Sequence, residues 1–200
     1  MCYAPRMDLT VLLEPKLDLP RLAEVLDGMG HEGRLHTVRG WGKARQAQLF
    51  EAAKGTTPLT LDDYVPSSVP PLTEVIHHGR NTLPLFSNFQ KRFCRPESDE
   101  GVLYGYNEGS TRGVTGPGYY VANEKDGELV IDYRKTPTSK VPSWPEIMPN
   151  SKKLGFLVYE GMVDYMRRLS QHVTVGRAEK GGKLIDAYFV LVREDRAAAS

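Results

Sequence analysis

The sequence is short of cysteine, of net charge and of long apolar runs, and each shortage excludes a class of protein. Its two cysteines, Cys2 and Cys94, show no CxxC spacing, which excludes a disulfide framework and favours an intracellular protein. Lys and Arg number 26 against 25 Asp and Glu, and this balance predicts no nucleic-acid partner. No run reaches the roughly 18 apolar residues of a membrane helix, and residues 1–15 are too acidic for a signal peptide. We therefore expect a soluble, cytoplasmic protein with no membrane partner.

Sequence motifs of the commonest enzyme classes are also missing. The chain contains no GxxxxGK[ST] phosphate loop, no GxGxxG, no GxSxG elbow, no HExxH and no DxDxDG calcium loop. Nucleotide binding, serine hydrolysis, zinc proteolysis and EF-hand calcium binding are unsupported. The sequence accordingly predicts no particular cofactor and no metal site.

Helical periodicity is present in the first quarter of the chain, which we interpret as the helical part of the fold (residues 1–55). Asp18 and Pro20 are typical of a helix start, and Ala44, Ala47 and Phe50 recur at helical spacing in a later segment. Residues 56–72 contain four prolines and form a predicted irregular connector. Residues 73–134 then alternate aromatic or β-branched residues with turn signals, which predicts antiparallel strands.

The last third predicts one long helix followed by a hairpin. Leu154, Val158, Met162 and Met166 recur at steps of four residues, which indicates a helix over residues 151–170. Residues 171–193 have the pattern of a terminal hairpin around Gly181. The predicted fold class is α+β in a single domain of residues 1–200. It combines N-terminal helices with a bent antiparallel sheet or partly closed barrel of about six or seven strands, and the long helix packs on that sheet.

The segment from Val102 to Arg134 is the most informative part of the sequence, because its tyrosines are repeatedly interrupted by glycine. Aromatic side chains suit a pleated surface, and glycine allows tight turns or close approach of a ligand to the main chain. Tyrosines with aliphatic neighbours are typical of small-molecule sites, although they can equally fill a core. The predicted ligand-binding residues of this segment are Tyr104, Tyr106, Gly116, Gly118, Tyr119 and Tyr120.

Residues near the predicted first strand supply titratable and cationic groups. His77 and His78 are adjacent, so strand alternation allows one of them to enter the interior as a general acid or base. Cys94 lies among cations that favour a reactive thiolate, although a free cysteine is more often simply buried. Arg80 and Asn81 could anchor an anionic group, or brace a loop. The catalytic candidates are therefore His77, His78 and Cys94.

Three functions follow from these residues. The leading hypothesis is a small-molecule-binding protein with an aromatic cavity between the sheet and the long helix, in which Arg80 and His78 anchor a ligand that can be anionic. The second hypothesis is an enzyme that uses His77 or His78 in the same cavity. The third is a homodimeric interaction module that associates through the outer face of the long helix.

Overall fold

The computed structural model describes residues 17–82, 87–98 and 101–195 of the chain. Cys2 and two short parts of the region predicted as antiparallel strands, residues 83–86 and 99–100, lie outside the described residues. The helices within these residues are α1 (Leu19–Asp27), α2 (His31–Arg39), α3 (Lys43–Ala52), α4 (Leu61–Tyr64), α5 (Arg112–Thr115) and α6 (Gly155–Val158). Helices α1 to α3 follow one another at the N-terminal end, and Asp18 caps α1 by accepting a hydrogen bond from the main-chain N–H of Arg21 at 3.0 Å.

Eight antiparallel strands form a closed barrel in which each strand pairs with the next along the chain. The strands are β1 (Val75–Asn81), β2 (Asn88–Cys94), β3 (Leu103–Glu108), β4 (Tyr120–Lys125), β5 (Glu128–Asp132), β6 (Met162–Arg168), β7 (Val173–Lys180) and β8 (Lys183–Arg193). The barrel closes where β8 pairs with β1, with His78 opposite Val192 and Arg80 opposite Val190. Among the described residues, no helix is long and apolar enough to cross a bilayer.

The predicted α+β fold with one long helix packed on a sheet of six or seven strands is wrong. Residues 151–170 contain the four-residue helix α6 and the strand β6, which pairs with β5 and β7 on its two sides. The sequence pattern was ambiguous because a step of four residues repeats both on a helix face and on one face of a strand. Gly161, with a φ of +73°, separates the two elements. Recognising β6 as a strand brings the count to eight and allows closure.

Three apolar clusters hold the fold together. The first fills the barrel interior, where Phe93, Tyr120, Ile131 and Leu191 are packed. The second joins helices α1 to α3 to the outer face of β7 and β8. The third covers the outer face of β2, β3 and β4 with the proline-rich segment that contains Trp144. The sheet is thus buried on both faces in these regions, as the apolar residues on both sides of β8 indicate.

One end of the barrel is closed by packing. Helix α4 and the loop after it place Tyr64, Val65 and Val69 in the interior cluster. The Tyr64 hydroxyl lies 3.0 Å from the hydroxyl of Thr174 on β7, and the Tyr64 ring stacks on the imidazole of His77. This end therefore has a solid core, whereas the opposite end contains a cavity.

Candidate functional site

A cavity of about 420 Å³ lies inside the barrel at the end opposite α4. Its wall includes inward-facing residues of several strands, among them Phe89 of β2, Met162 of β6, and Ala187 and Phe189 of β8. Glu108 and Arg112 lie at the rim and form an ion pair at 2.9 Å. A volume in this range and a largely apolar wall are typical of sites for small organic molecules.

A buried ion pair lies at the floor of this cavity. Lys91 of β2 and Asp164 of β6 approach to 3.0 Å between Nζ and Oδ2, and their side chains are 2 % and 4 % exposed. Lys91 also donates hydrogen bonds to Oδ1 of Asn107, at 3.2 Å, and to the hydroxyl of Tyr133. The Asn107 amide donates in turn to the Tyr133 hydroxyl at 3.1 Å. The ammonium group is therefore held by three oxygen acceptors.

Burial moves the two members of this pair towards neutrality. Loss of water lowers the pKa of Lys91, and the attraction of Asp164 opposes that change. Loss of water likewise raises the pKa of Asp164, and Lys91 and Tyr133 oppose it. Burial also raises the pKa of Tyr133 well above its usual value, so this hydroxyl remains a proton donor. The floor combines three ionisable groups in a setting with little water.

Aromatic rings surround the Lys91 ammonium group. Tyr159 stacks on Tyr133 with ring centroids 5.5 Å apart and extends the aromatic wall towards the rim. The ammonium nitrogen lies near four ring centroids, at distances that permit cation–π attraction. They belong to Tyr133 at 4.8 Å, Tyr120 at 4.9 Å, Phe189 at 5.0 Å and Phe89 at 5.8 Å.

The two predicted catalytic histidines point to opposite sides of β1, as strand alternation requires. His77 enters the interior at the closed end of the barrel, 2 % exposed, and its Nε2 lies 3.0 Å from the main-chain oxygen of Tyr64. Burial lowers the pKa of His77 to about 3, which keeps the ring neutral. His78 lies outside the barrel, where its ring meets that of His31 on α2. The two imidazoles do not share a cavity.

The predicted ligand-binding residues are distributed over several surfaces. Asn81 lines the cavity near its rim. Arg80 lies two positions after His78, so its side chain is on the same outer face of β1, where it is half-buried. Tyr120 lies inside the barrel beneath Lys91, and its hydroxyl donates to the main-chain oxygen of Arg92 at 3.1 Å.

The remaining predicted tyrosines and Cys94 lie together on the outer face of the barrel, in the cluster around Trp144. The Tyr119 hydroxyl donates a hydrogen bond to the main-chain oxygen of Pro145 at 2.6 Å, and the Tyr104 hydroxyl lies 3.0 Å from the hydroxyl of Thr138. Tyr106 packs edge-on against Trp144. Burial raises the pKa of the Cys94 thiol to about 12, which opposes formation of a thiolate.

The two predicted glycines flank the turn before β4. Gly116 and Gly118 have φ angles of +84° and +56°. A β-carbon at Gly118 would press on the ring of Tyr159 and on the amide of Asn107. The main-chain oxygen of Gly118 accepts a hydrogen bond from that amide at 3.1 Å. Gly118 therefore lets the chain pass close behind the polar cluster at the cavity floor.

Sequence reasoning did not single out Lys91 or Asp164, although a signal for both was present. Lys91 alternates with Phe89 and Phe93 on one face of its strand, and Asp164 alternates with Met162 and Met166 on one face of β6. A charge at the centre of an apolar face is unusual, and two such charges of opposite sign indicate a buried pair. The second signal was hidden because β6 was interpreted as a helix.

Comparison of the chain with protein-family models, with curated proteins and with solved structures finds no match in any of the three. The function is therefore argued from the cavity and its residues.

Proposed function

We propose that this protein binds a small, largely apolar and uncharged molecule inside the barrel. The observation that carries this proposal is the cavity of about 420 Å³ with a fixed polar cluster at its floor. The apolar wall accounts for affinity by removing hydrocarbon from water, and a few placed polar atoms account for orientation. A ligand hydroxyl or carbonyl group next to Asp164 and Tyr133 completes the arrangement.

Charge balance favours a neutral ligand over the anionic one suggested by the arginines of the sequence. The positive charge of Lys91 is matched by Asp164 at 3.0 Å, and Arg112 at the rim is matched by Glu108 at 2.9 Å. A carboxylate carried to the floor would lose its water without meeting an unmatched positive charge. An alcohol, aldehyde or ketone loses much less hydration on entering the same space.

A dye-binding experiment with a cavity-filling variant tests the proposal. Nile red, which is neutral and fluoresces strongly in apolar surroundings, is titrated into the wild type and into Ala187→Trp, where an indole would occupy the cavity. Leu184→Trp is the matched control, because Leu184 lies on the same strand and is 47 % exposed. We expect one dye per chain for the wild type and the control, and loss of binding for Ala187→Trp. Equal binding by all three proteins would place the dye elsewhere and contradict the proposal.

Competition against bound dye then tests the charge of the ligand. Decan-1-ol and decanoate share a chain length and differ in charge at pH 8. Because a buried carboxylate costs more to desolvate than a hydroxyl group, we expect decan-1-ol to displace the dye at a concentration at least about tenfold lower. Stronger displacement by decanoate would show that the floor accepts an anion and would overturn this part of the proposal.

A second candidate function, an acid–base enzyme acting in the same cavity, is favoured by the ionisable groups at its floor. Lys91, Asp164 and Tyr133 can pass a proton between them, and perturbed groups in a cavity are typical of active sites. The test is exchange of the protons next to the carbonyl of decan-2-one with deuterium from solvent, followed by NMR. Faster exchange with the wild type than with the double variant Lys91→Met/Asp164→Leu supports an enzyme, and equal rates exclude this chemistry.

A further inference from the structure

Two imidazoles and a carboxylate meet on the outside of the barrel, away from the cavity. His31 is the first residue of helix α2, His78 projects outward from β1, and Glu194 follows β8. The main-chain N–H of Glu194 bonds to the main-chain oxygen of Ile76 at 2.9 Å, which extends the pairing of β8 with β1. Strand pairing and the start of a helix therefore bring three separate parts of the chain to one point.

The distances between the three side chains suit a shared ion. One ligand atom from each lies within 4.8 Å of the other two, and Nε2 of His78 is 3.6 Å from Oε1 of Glu194. Ligand atoms about 2.1 Å from a tetrahedral zinc ion lie about 3.4 Å from one another. The carboxylate is 46 % exposed, so its side chain has room to rotate the remaining distance.

The hydrogen bonding of the two histidines is incomplete. Nδ1 of His31 and Nε2 of His78 are both shielded from solvent, and neither atom has a hydrogen-bond partner within the described part of the chain. Their rings lie 5.3 Å apart at an angle of 62°. Buried polar atoms without partners are uncommon in folded proteins and call for an explanation. A bound cation would satisfy both nitrogen lone pairs at once.

We propose that His31, His78 and Glu194 bind a divalent transition-metal ion, with Zn²⁺ as the best fit. Two imidazoles and one carboxylate are a donor set that zinc accepts, and they leave a fourth position for water. The ion would tie α2 to the seam where β1 meets β8. This proposal is independent of the ligand cavity, because the three side chains lie on the outer face of the barrel.

Isothermal titration of metal-free protein with ZnCl₂ tests the site, with His31→Ala, His78→Ala and Glu194→Gln as variants. His36→Ala is the matched control, because His36 is an exposed histidine on the same helix. Removal of a residue that only hydrogen-bonds to a metal ligand lowers metal affinity by about 10- to 100-fold. We therefore expect removal of either histidine, which would bind the metal directly, to lower Zn²⁺ affinity by at least about 100-fold. The control should bind one Zn²⁺ with wild-type affinity.

Co²⁺ replacing Zn²⁺ gives a second readout, because visible absorption bands of a tetrahedral Co²⁺ complex report the coordination itself. Circular dichroism in EDTA checks that each variant is folded. The proposal is overturned if the wild type takes up no Zn²⁺, or if it binds no more tightly than the folded His31→Ala and His78→Ala variants. Equal loss of binding in His36→Ala would also overturn it.

Discussion

Replacement of Lys91 by Met should destabilise the protein strongly, and the loss should depend on pH. The variant keeps the length and the apolar character of the side chain and removes the ammonium group. Asp164, 4 % exposed, then loses its partner at 3.0 Å. Removing one member of a buried pair typically lowers the free energy of unfolding by about 3–5 kcal/mol, and we expect a loss of that size at pH 8.

The pH dependence follows from the direction of the Asp164 shift. Burial raises the pKa of this carboxyl group, and the opposing effect of Lys91 is absent in the variant. A group with a raised pKa in the folded state gives its full stability below its unfolded pKa and loses it as the pH rises through the folded value. The cost of Lys91→Met should therefore shrink towards pH 4 to about 1 kcal/mol, the contribution of lost hydrogen bonds.

Urea unfolding between pH 4 and pH 8, followed by tryptophan fluorescence, measures these quantities. The double variant Lys91→Met/Asp164→Leu is the companion, because an apolar pair of similar volume often matches or exceeds the stability of a buried ion pair. We expect it to recover most of the loss at pH 8. A cost below about 1 kcal/mol at every pH, with no recovery in the double variant, would refute the reasoning.

Three further predictions concern packing and hydrogen bonding. Gly105→Ala should lower the free energy of unfolding, measured in urea, by about 3 kcal/mol, because the added β-carbon would clash with a main-chain oxygen of β2 and with a tyrosine ring. Gly113→Ala is the control and should be nearly neutral, because a β-carbon there meets no atom within 4 Å. Tyr64→Phe should lower the free energy of unfolding by about 1–3 kcal/mol, since the Thr174 hydroxyl loses its partner at 3.0 Å. A change in the urea midpoint too small to measure would contradict this hydrogen bond. Asn150→Ala should lower the free energy of unfolding by about 2 kcal/mol, and with it the melting temperature, because the Asn150 amide donates at 2.8 Å to two main-chain oxygens beside β4 and β5. An unchanged melting curve would count against this prediction.

Local patterns predicted the elements that depend on neighbouring residues. Asp18 followed by Pro20 marks the start of α1, and the apolar residues on both faces of residues 184–192, after the turn at Gly181, mark β8. The prediction of a helix over residues 151–170 failed because its apolar residues repeat at a step shared by helices and strands. Asp164 lies between two of these apolar residues, Met162 and Met166, on β6. Its true surroundings depend on Lys91, which is 73 positions earlier in the chain, and no local pattern reports such a partner.

The candidate site was less predictable than the strands for a related reason. Alternation correctly separates His77 from His78, but it does not tell which side of β1 is the interior. Tyr104, Tyr106 and Tyr119 lie on the outer face of the barrel, and they are buried there because the segment around Trp144 covers them. A buried outer face and a cavity wall have the same sequence signature. Whether the predicted site residues take part in function, and whether residues 1–200 form a single domain, stay predictions.

The seam between β1 and β8 has a consequence for how the chain folds. It joins Val75–Asn81 to Lys183–Arg193, so the cylinder cannot be completed until nearly the whole strand series has been synthesised. Contacts between such distant segments slow the search for the native topology. During synthesis on the ribosome, one edge of β1 stays unpaired until β8 has been made. We therefore expect nascent chains stalled before β8 to bind chaperones or to aggregate.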